Sequence, residues 1–508
     1  METTRRNPMT DYDAVVIGAG CGGLTAATTM AQSGLKVLLL EKHNIPGGCA
    51  QSFYRGRFEF EASLHQLSGV GTEDNPGQIR KLFERMGVLD RVELVQEDIL
   101  YDVKIDGKLD IELPSGRVEL ATALKKSFPE EGESIDGFFN FLYDFVYQFH
   151  ACVYGKDPEA SPEKYPIFFK YALSSTQAIF DEFLPNHQLQ VCVGSYICYV
   201  GLPTETLPFD RLAVTLWSYL EYKPTHFVGG SQAMSNALID CFVEAGGQVK
   251  FNCGVDKIVV ENGCVKGVVA ENGQKFTTQY VVSNASSIDT YLRMIDRDQV
   301  PQEIVESLNS KEIGVSAVTV YLGLDCDPSE LGISAPCSFL YENSAGLNEL
   351  YGNPQKAPQA CLLTSYDNVS STFSPEGACQ MVLIDLQYGE LWQSIPANEY
   401  TDVKYRYADQ MIALAEKFYP GIRDRIEEVE VSTPITNMRY LSTPGGSIYG
   451  FSPYSKDMRM FSSTVSPIKG LFLAGAWVTG GGYEPSLVSG VGAGRAAVKQ
   501  FQKRETVS

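Results

Sequence analysis

An α/β fold with an α+β region inserted into it is predicted for this chain by three observations. Residues 14–41 read as strand, glycine turn, helix, strand and acid, and residues 470–497 read as strand, glycine turn and helix. The length of 508 residues exceeds what one hydrophobic core usually organises, so two regions are expected.

In the first unit, Ala14 to Ile17 is a short apolar run after Asp11 and Asp13, and Gly18-Ala19-Gly20-Cys21-Gly22-Gly23 leads into a helical stretch from Leu24 to Ser33. Gly34 closes that helix, and Lys36 to Leu40 returns as a second strand ending on Glu41. Gly18 permits the tight turn, Gly20 lets the backbone approach a pyrophosphate, and Gly23 lets the helix pack closely on the strand. A pyrophosphate at that helix N-terminus meets unpaired N–H groups and the positive end of the helix dipole. Glu41 is then placed to accept a hydrogen bond from a ribose hydroxyl. A glycine-rich loop alone could imitate the turn; the complete order specifies a Rossmann-type dinucleotide unit.

Composition narrows the partners. The net charge of -21 repels nucleic-acid phosphates and anionic lipid headgroups, and no basic run offsets it. Nucleic acid is therefore excluded, and peripheral membrane contact is left only to an apolar patch. Hydrophobic residues at 44% and charged residues at 20% are ordinary globular usage. Twelve cysteines include no C-x-x-C pair, and Cys192 and Cys198 lack zinc-site spacing, so reduced core cysteines and no metal are expected. Arg5 and Arg6 are parted from the first apolar run by Asn7, Asp11 and Asp13, unlike a signal peptide. With no apolar stretch of about 20 residues, a cytoplasmic location is expected.

Directly after the acid comes Lys42-His43-Asn44-Ile45-Pro46-Gly47-Gly48-Cys49. This second glycine pair resembles the extended FAD signature of the amine oxidase and phytoene desaturase superfamily. Cys49 to Phe53 and then Arg57-Phe58-Glu59-Phe60-Glu61-Ala62-Ser63-Leu64-His65 resemble the matching stretch of retinol saturases and carotenoid isomerases. Those relatives typically read F-D-x-G-x-H, and this chain carries Glu61 for the acid and Ser63 for the glycine.

A second pattern runs from Phe227 to Ala285: Gly229-Gly230-Ser231, a helix over about Ala233 to Glu244, and apolar strands around Val255, Ile258 and Val268, parted by turns such as Asn272-Gly273. With Tyr280 to Ala285, these strands suggest hairpins laid over the first unit. At the end, Gly470 to Ala476 is a strand entering a glycine turn, followed by Gly480-Gly481-Gly482 and a helix from about Ser486. It resembles the closing FAD segment of the superfamily. The resemblance implies that FAD is held by Gly18, Gly20, Gly22, Gly23, Glu41, Lys42, Gly47, Gly48, Cys49, Val255, Gly475, Ala476, Ser486 and Leu487.

The FAD domain is accordingly expected to be discontinuous, over 11–98, 226–290 and 466–508. A substrate domain of 99–225 and 291–465 holds the aromatic-rich stretches, which are core or the wall of an apolar cavity. The resemblance implies an oxidoreductase acting on carbon–carbon double bonds of an apolar, polyene-like substrate by saturation, desaturation or isomerisation. Only one dinucleotide unit is visible, so electrons arrive from a transient donor, for which NAD(P)H is a candidate, or leave to an acceptor at the same flavin. His65 is a candidate proton donor or orienting group and Glu61 a second candidate, although either also fits a structural role. Amine oxidation, and lipid binding without catalysis, are the competing readings of the same architecture.

Overall fold

Ala14–Ile17 is buried along its whole length because it is the middle of a five-stranded parallel sheet. The strand order is Leu471–Leu473, Val281–Ser283, Ala14–Ile17, Val37–Leu40 and Gln248–Lys250. Val16 sits opposite Leu39 on one side and Val282 on the other. Such a strand, covered on both faces, reads as continuous apolar sequence. The computed structural model describes residues 10–342, 345–453 and 463–505. Arg5, Arg6 and Asn7, and the last three residues assigned to the closing segment, lie outside them.

Two expectations are corrected here. The run from Tyr280 was expected among the hairpins, but Val281–Ser283 pairs in parallel with the opening strand and with Leu471–Leu473. Its residues are all buried, which the parallel sheet provides and a hairpin edge does not. The hairpin layer is the three-stranded antiparallel sheet of Val255–Glu261, Cys264–Ala270 and Lys275–Thr277. Asn262 and Gly263, at φ of 52° and 70°, form the tight turn between its first two strands.

The two terminal helices are set by glycine. The opening helix spans Cys21–Gln32 and starts before the expected Leu24, because Gly22 and Gly23 are helical. A Cβ on Gly23 would lie 1.9 Å from the carbonyl oxygen of Gly18, so only bare backbone allows the helix this close to its strand. The closing helix, Tyr483–Glu505, likewise starts before the expected Ser486. A Cβ on Gly490 would lie 2.0 Å from the Gly22 carbonyl oxygen, and the Thr25 hydroxyl donates to the Leu487 carbonyl at 2.8 Å.

The intervening chain builds a seven-stranded sheet in the order Ile426–Ser432, Ser316–Leu324, Cys379–Gln387, Ala360–Ser365, Cys337–Tyr341, Ile99–Ile105 and Leu109–Pro114. Residues far apart in sequence thus share one sheet. Helices Gly132–Phe149 and Phe209–Tyr222 pack over its Phe339 and Leu362 face in one aromatic-rich core. Among the described residues, no helix is long and apolar enough to cross a membrane.

The glycines of the closing helix give opposite expectations for one substitution. Gly490→Ala should lower the unfolding free energy by about 1–3 kcal/mol through overpacking. Gly492→Ala, where a Cβ meets nothing within 4 Å, should raise it by about 0.5–1 kcal/mol. Denaturant titration of both variants checks the signs, and equal effects would break the packing account.

Candidate active site

The C-terminal ends of the central parallel strands converge, as open α/β sheets bring ligands to that edge. Ile17, Leu40, Asn284 and Gly475 all line one cavity of about 1900 Å³. It continues past the sheet edge, between helix Phe209–Tyr222 and the seven-stranded sheet, where Val214, Trp217, Ala317, Leu362, Ile384 and Leu386 line it.

Most residues assigned to the dinucleotide meet at the first end. Gly18, Gly20, Gly22, Glu41, Lys42, Gly47, Gly48, Cys49, Val255, Gly475, Ala476 and Ser486 line the cavity. Gly23 and Leu487 do not; they sit in the helix packing described above. The Gly47 amide donates to the Ala19 carbonyl at 2.8 Å, which brings the second glycine pair against the first turn. Gly47 and Gly48 adopt φ of +126° and +65°, which side chains disfavour.

Glu41 is buried and already holds two backbone amides: Ala19 N–H donates to Oε2 at 2.6 Å and His43 N–H to Oε1 at 2.8 Å. It ties the turn to the loop after the second strand while keeping lone pairs for a ribose hydroxyl. The Lys42 amine donates to the Ser442 hydroxyl at 2.6 Å, so it is held by the far wall of the cavity. Cys21 and Cys49 are pushed up to about 12 and about 11 by burial, so both thiols stay protonated.

Asn284 was not singled out from the sequence. It follows the Val281–Ser283 strand and packs its amide against both glycine turns. A Cβ on Gly20 would lie 2.7 Å from its Nδ2, and Cβ atoms on Gly22 and Gly475 would lie 2.6 Å and 2.5 Å from its Oδ1. Its place directly after a buried strand, at the sheet's ligand edge, is the signal that could have found it. The cradle of bare backbone, helix N-terminus and acid fits FAD.

Glu61 and His65 part company. Glu61 is buried and does not line the cavity. Its carboxylate accepts from Ser231 N–H at 2.7 Å, the Ser231 hydroxyl at 2.6 Å and Leu64 N–H at 3.3 Å. It fastens the loop bearing His65 to the start of helix Gly230–Glu244. Burial pushes it up to about 7 against the pull of these hydrogen bonds. Ser63, in the place of the family glycine, donates to the Cys49 carbonyl at 2.8 Å and bonds the Tyr483 hydroxyl at 2.8 Å.

His65 faces the cavity. Its Nδ1 lies 2.9 Å from the Tyr366 hydroxyl and 3.3 Å from the Thr364 hydroxyl. Burial first, and then the neighbouring His226, push His65 down to about 3, so the ring is uncharged at neutral pH. Tyr366 and His226 were invisible in the sequence because nothing local to them marks contact with residue 65. Tyr449, Trp477 and Tyr483 also border the cavity.

A Rossmann-type sheet whose two glycine turns open on one long cavity defines an FAD-dependent oxidoreductase. The flavin containing amine oxidoreductases match the chain over residues 21–498, and it belongs to that family. It is 28% identical to the all-trans-retinol 13,14-reductase of Danio rerio, over 92% of this chain and 82% of that protein. It is 26% identical to the chloroplastic prolycopene isomerase of Daucus carota, over 93% of this chain and 78% of that protein. The fold is shared with putrescine oxidase bound to putrescine, at a TM-score of 0.64 and 14% identity, over 97% and 99% of the two chains.

Two measurements follow from the site. Gly20→Val should give soluble but colourless protein, because the added branch displaces Asn284 and fills the pyrophosphate cradle; a fully yellow variant would contradict the cradle. Glu61 carries a raised value, so its contribution to stability is complete below the ordinary glutamate range and is lost as pH rises through about 7. Glu61→Gln keeps the shape and cannot ionise. Relative to the parent, it should therefore gain up to roughly 3 kcal/mol between pH 4.5 and 8. A pH-independent difference in thermal unfolding would assign Glu61 an ordinary value.

Proposed function

We propose that this flavoenzyme acts on a carbon–carbon double bond of a long, apolar, conjugated chain, and that the net reaction is saturation. The observation that carries the reading is the continuity of one cavity from the dinucleotide cradle to a wall of Ala317, Leu350, Leu362, Ile384 and Leu386. An elongated apolar ligand matches such a wall, whose burial stabilises binding by roughly 25 cal/mol per Å² of apolar surface removed from water. Similarity along the chain to a retinol reductase and to prolycopene isomerases supports a polyene, and the first of these supports reduction.

FAD, when bound, supplies two-electron exchange with the substrate carbons. The chain's own residues do the rest. The Val214 and Trp217 side of the cavity and the sheet opposite confine the chain and exclude water, while the loop fastened by Glu61 presents His65 to it. Among the described residues there is one parallel sheet, and it serves FAD; reducing equivalents then come from a transient donor such as NAD(P)H. Tyr147, Tyr154, Phe169 and Leu173 are exposed, and Tyr154 also lines the cavity, which supports peripheral contact with a lipid phase as the route of entry.

Anaerobic incubation of the reduced holoenzyme with polyenes, retinoids, unsaturated fatty acids and amines tests this reading. Flavin reoxidation by an apolar alkene, with a product two hydrogens heavier, is expected. A product of unchanged mass and altered geometry would make the enzyme an isomerase. Loss of two hydrogens with an added acceptor would make it a desaturase, and turnover of amines alone would overturn the reading.

A further inference from the structure

We propose that Tyr366 fixes His65 as the neutral tautomer with its proton on Nε2, so that His65 meets the bound chain as a hydrogen-bond donor and not as a proton source. The donor role rests on the cavity being the substrate site; the tautomer does not.

The Tyr366 side chain is fully buried, packed between Phe373 and His226 with ring centroids 5.3 Å and 5.6 Å away. Among the described residues its hydroxyl has one partner, His65 Nδ1 at 2.9 Å. A buried phenol that fails to donate leaves its proton unsatisfied, which costs about 1–3 kcal/mol. Burial also holds Tyr366 far above the ordinary tyrosine value, so the O–H remains a donor. Donation to Nδ1 requires a lone pair there, and a neutral imidazole with that lone pair carries its hydrogen on Nε2.

The surroundings admit no charged alternative. The ring is stacked on Tyr199 at 6.4 Å, Thr364 brings a second hydroxyl to Nδ1, and His226 repels a proton. The nearby Glu61 carboxylate is engaged by Ser231 and Leu64 and gives the ring no counter-charge. Nε2 has no protein partner among the described residues, and the ring lines the cavity. The ligand therefore meets a fixed N–H. What it places there is an acceptor, an oxygen lone pair or the π face of a double bond.

The holoenzyme with ¹⁵N-labelled histidine decides the tautomer by two-bond nitrogen–proton correlations at pH 7. For His65, a pyridine-like Nδ1 and a pyrrole-like Nε2 are expected, and Tyr366→Phe should weaken that preference while flavin content is unchanged. The reverse pattern, or two protonated nitrogens, overturns the proposal, and the parent protein alone settles this if the variant fails to fold. The donor role is read from turnover of the alkene identified above. His65→Gln keeps a neutral N–H and should retain at least about a tenth of activity, whereas His65→Ala removes the donor and should lose roughly 10²-fold. Equal losses in the two variants overturn the donor role. Absence of turnover of any alkene by the parent would defeat the functional reading while leaving the tautomer to stand on the spectra.

Discussion

Backbone touching backbone is the constraint on which the rest of this structure depends. The Gly18 carbonyl closes on Gly23, and the Gly22 carbonyl closes on Gly490, both at distances that no Cβ allows. Gly47 bonds back to Ala19 across the turn. These approaches bring the first and last helices of the chain together and leave the helix N-terminus uncovered, where peptide N–H groups are available to an anion. Asn284 is wedged between the same glycines, so the position of the Val281–Ser283 strand is tied to the same contact.

That arrangement also explains the long cavity. The chain makes two long excursions from that sheet, between Val37–Leu40 and Gln248–Lys250 and between Val281–Ser283 and Leu471–Leu473, and strands from both join in the seven-stranded sheet. Ile99–Ile105 and Cys337–Tyr341 pair in parallel within the seven-stranded sheet. One apolar face of that sheet is covered by helices, and the cavity runs between them beyond the glycine turns.

What the sequence made legible was local. The strand-turn-helix order at each end of the chain and the Asn-Gly hairpin turns depend on neighbours within a few residues, and spacing and turn chemistry reveal them. The strand Val281–Ser283 was misassigned because periodicity cannot distinguish a buried parallel strand from a short hairpin strand. The helix starts were set too late because glycine was read as turn; in these helices its lack of a side chain serves packing. Tyr366, His226 and Ser231 were out of reach altogether, since their roles exist only through contacts with the loop around residues 61–65.

The cavity also changes character along its length, and burial is the cause. At the dinucleotide end it is lined by charged groups, Glu41, Lys42, Glu271, Asp289 and Arg293, whose carboxylates can accept from ribose hydroxyls. Beside the glycine turns burial keeps the thiols of Cys21 and Cys49 protonated, and His65 refuses a second proton. Asp210 and Arg211 at the start of helix Phe209–Tyr222 also line the cavity, and there burial raises the acid while the guanidinium beside it works in the other direction. The neutral state of His65 follows from where the loop fastened by Glu61 places it.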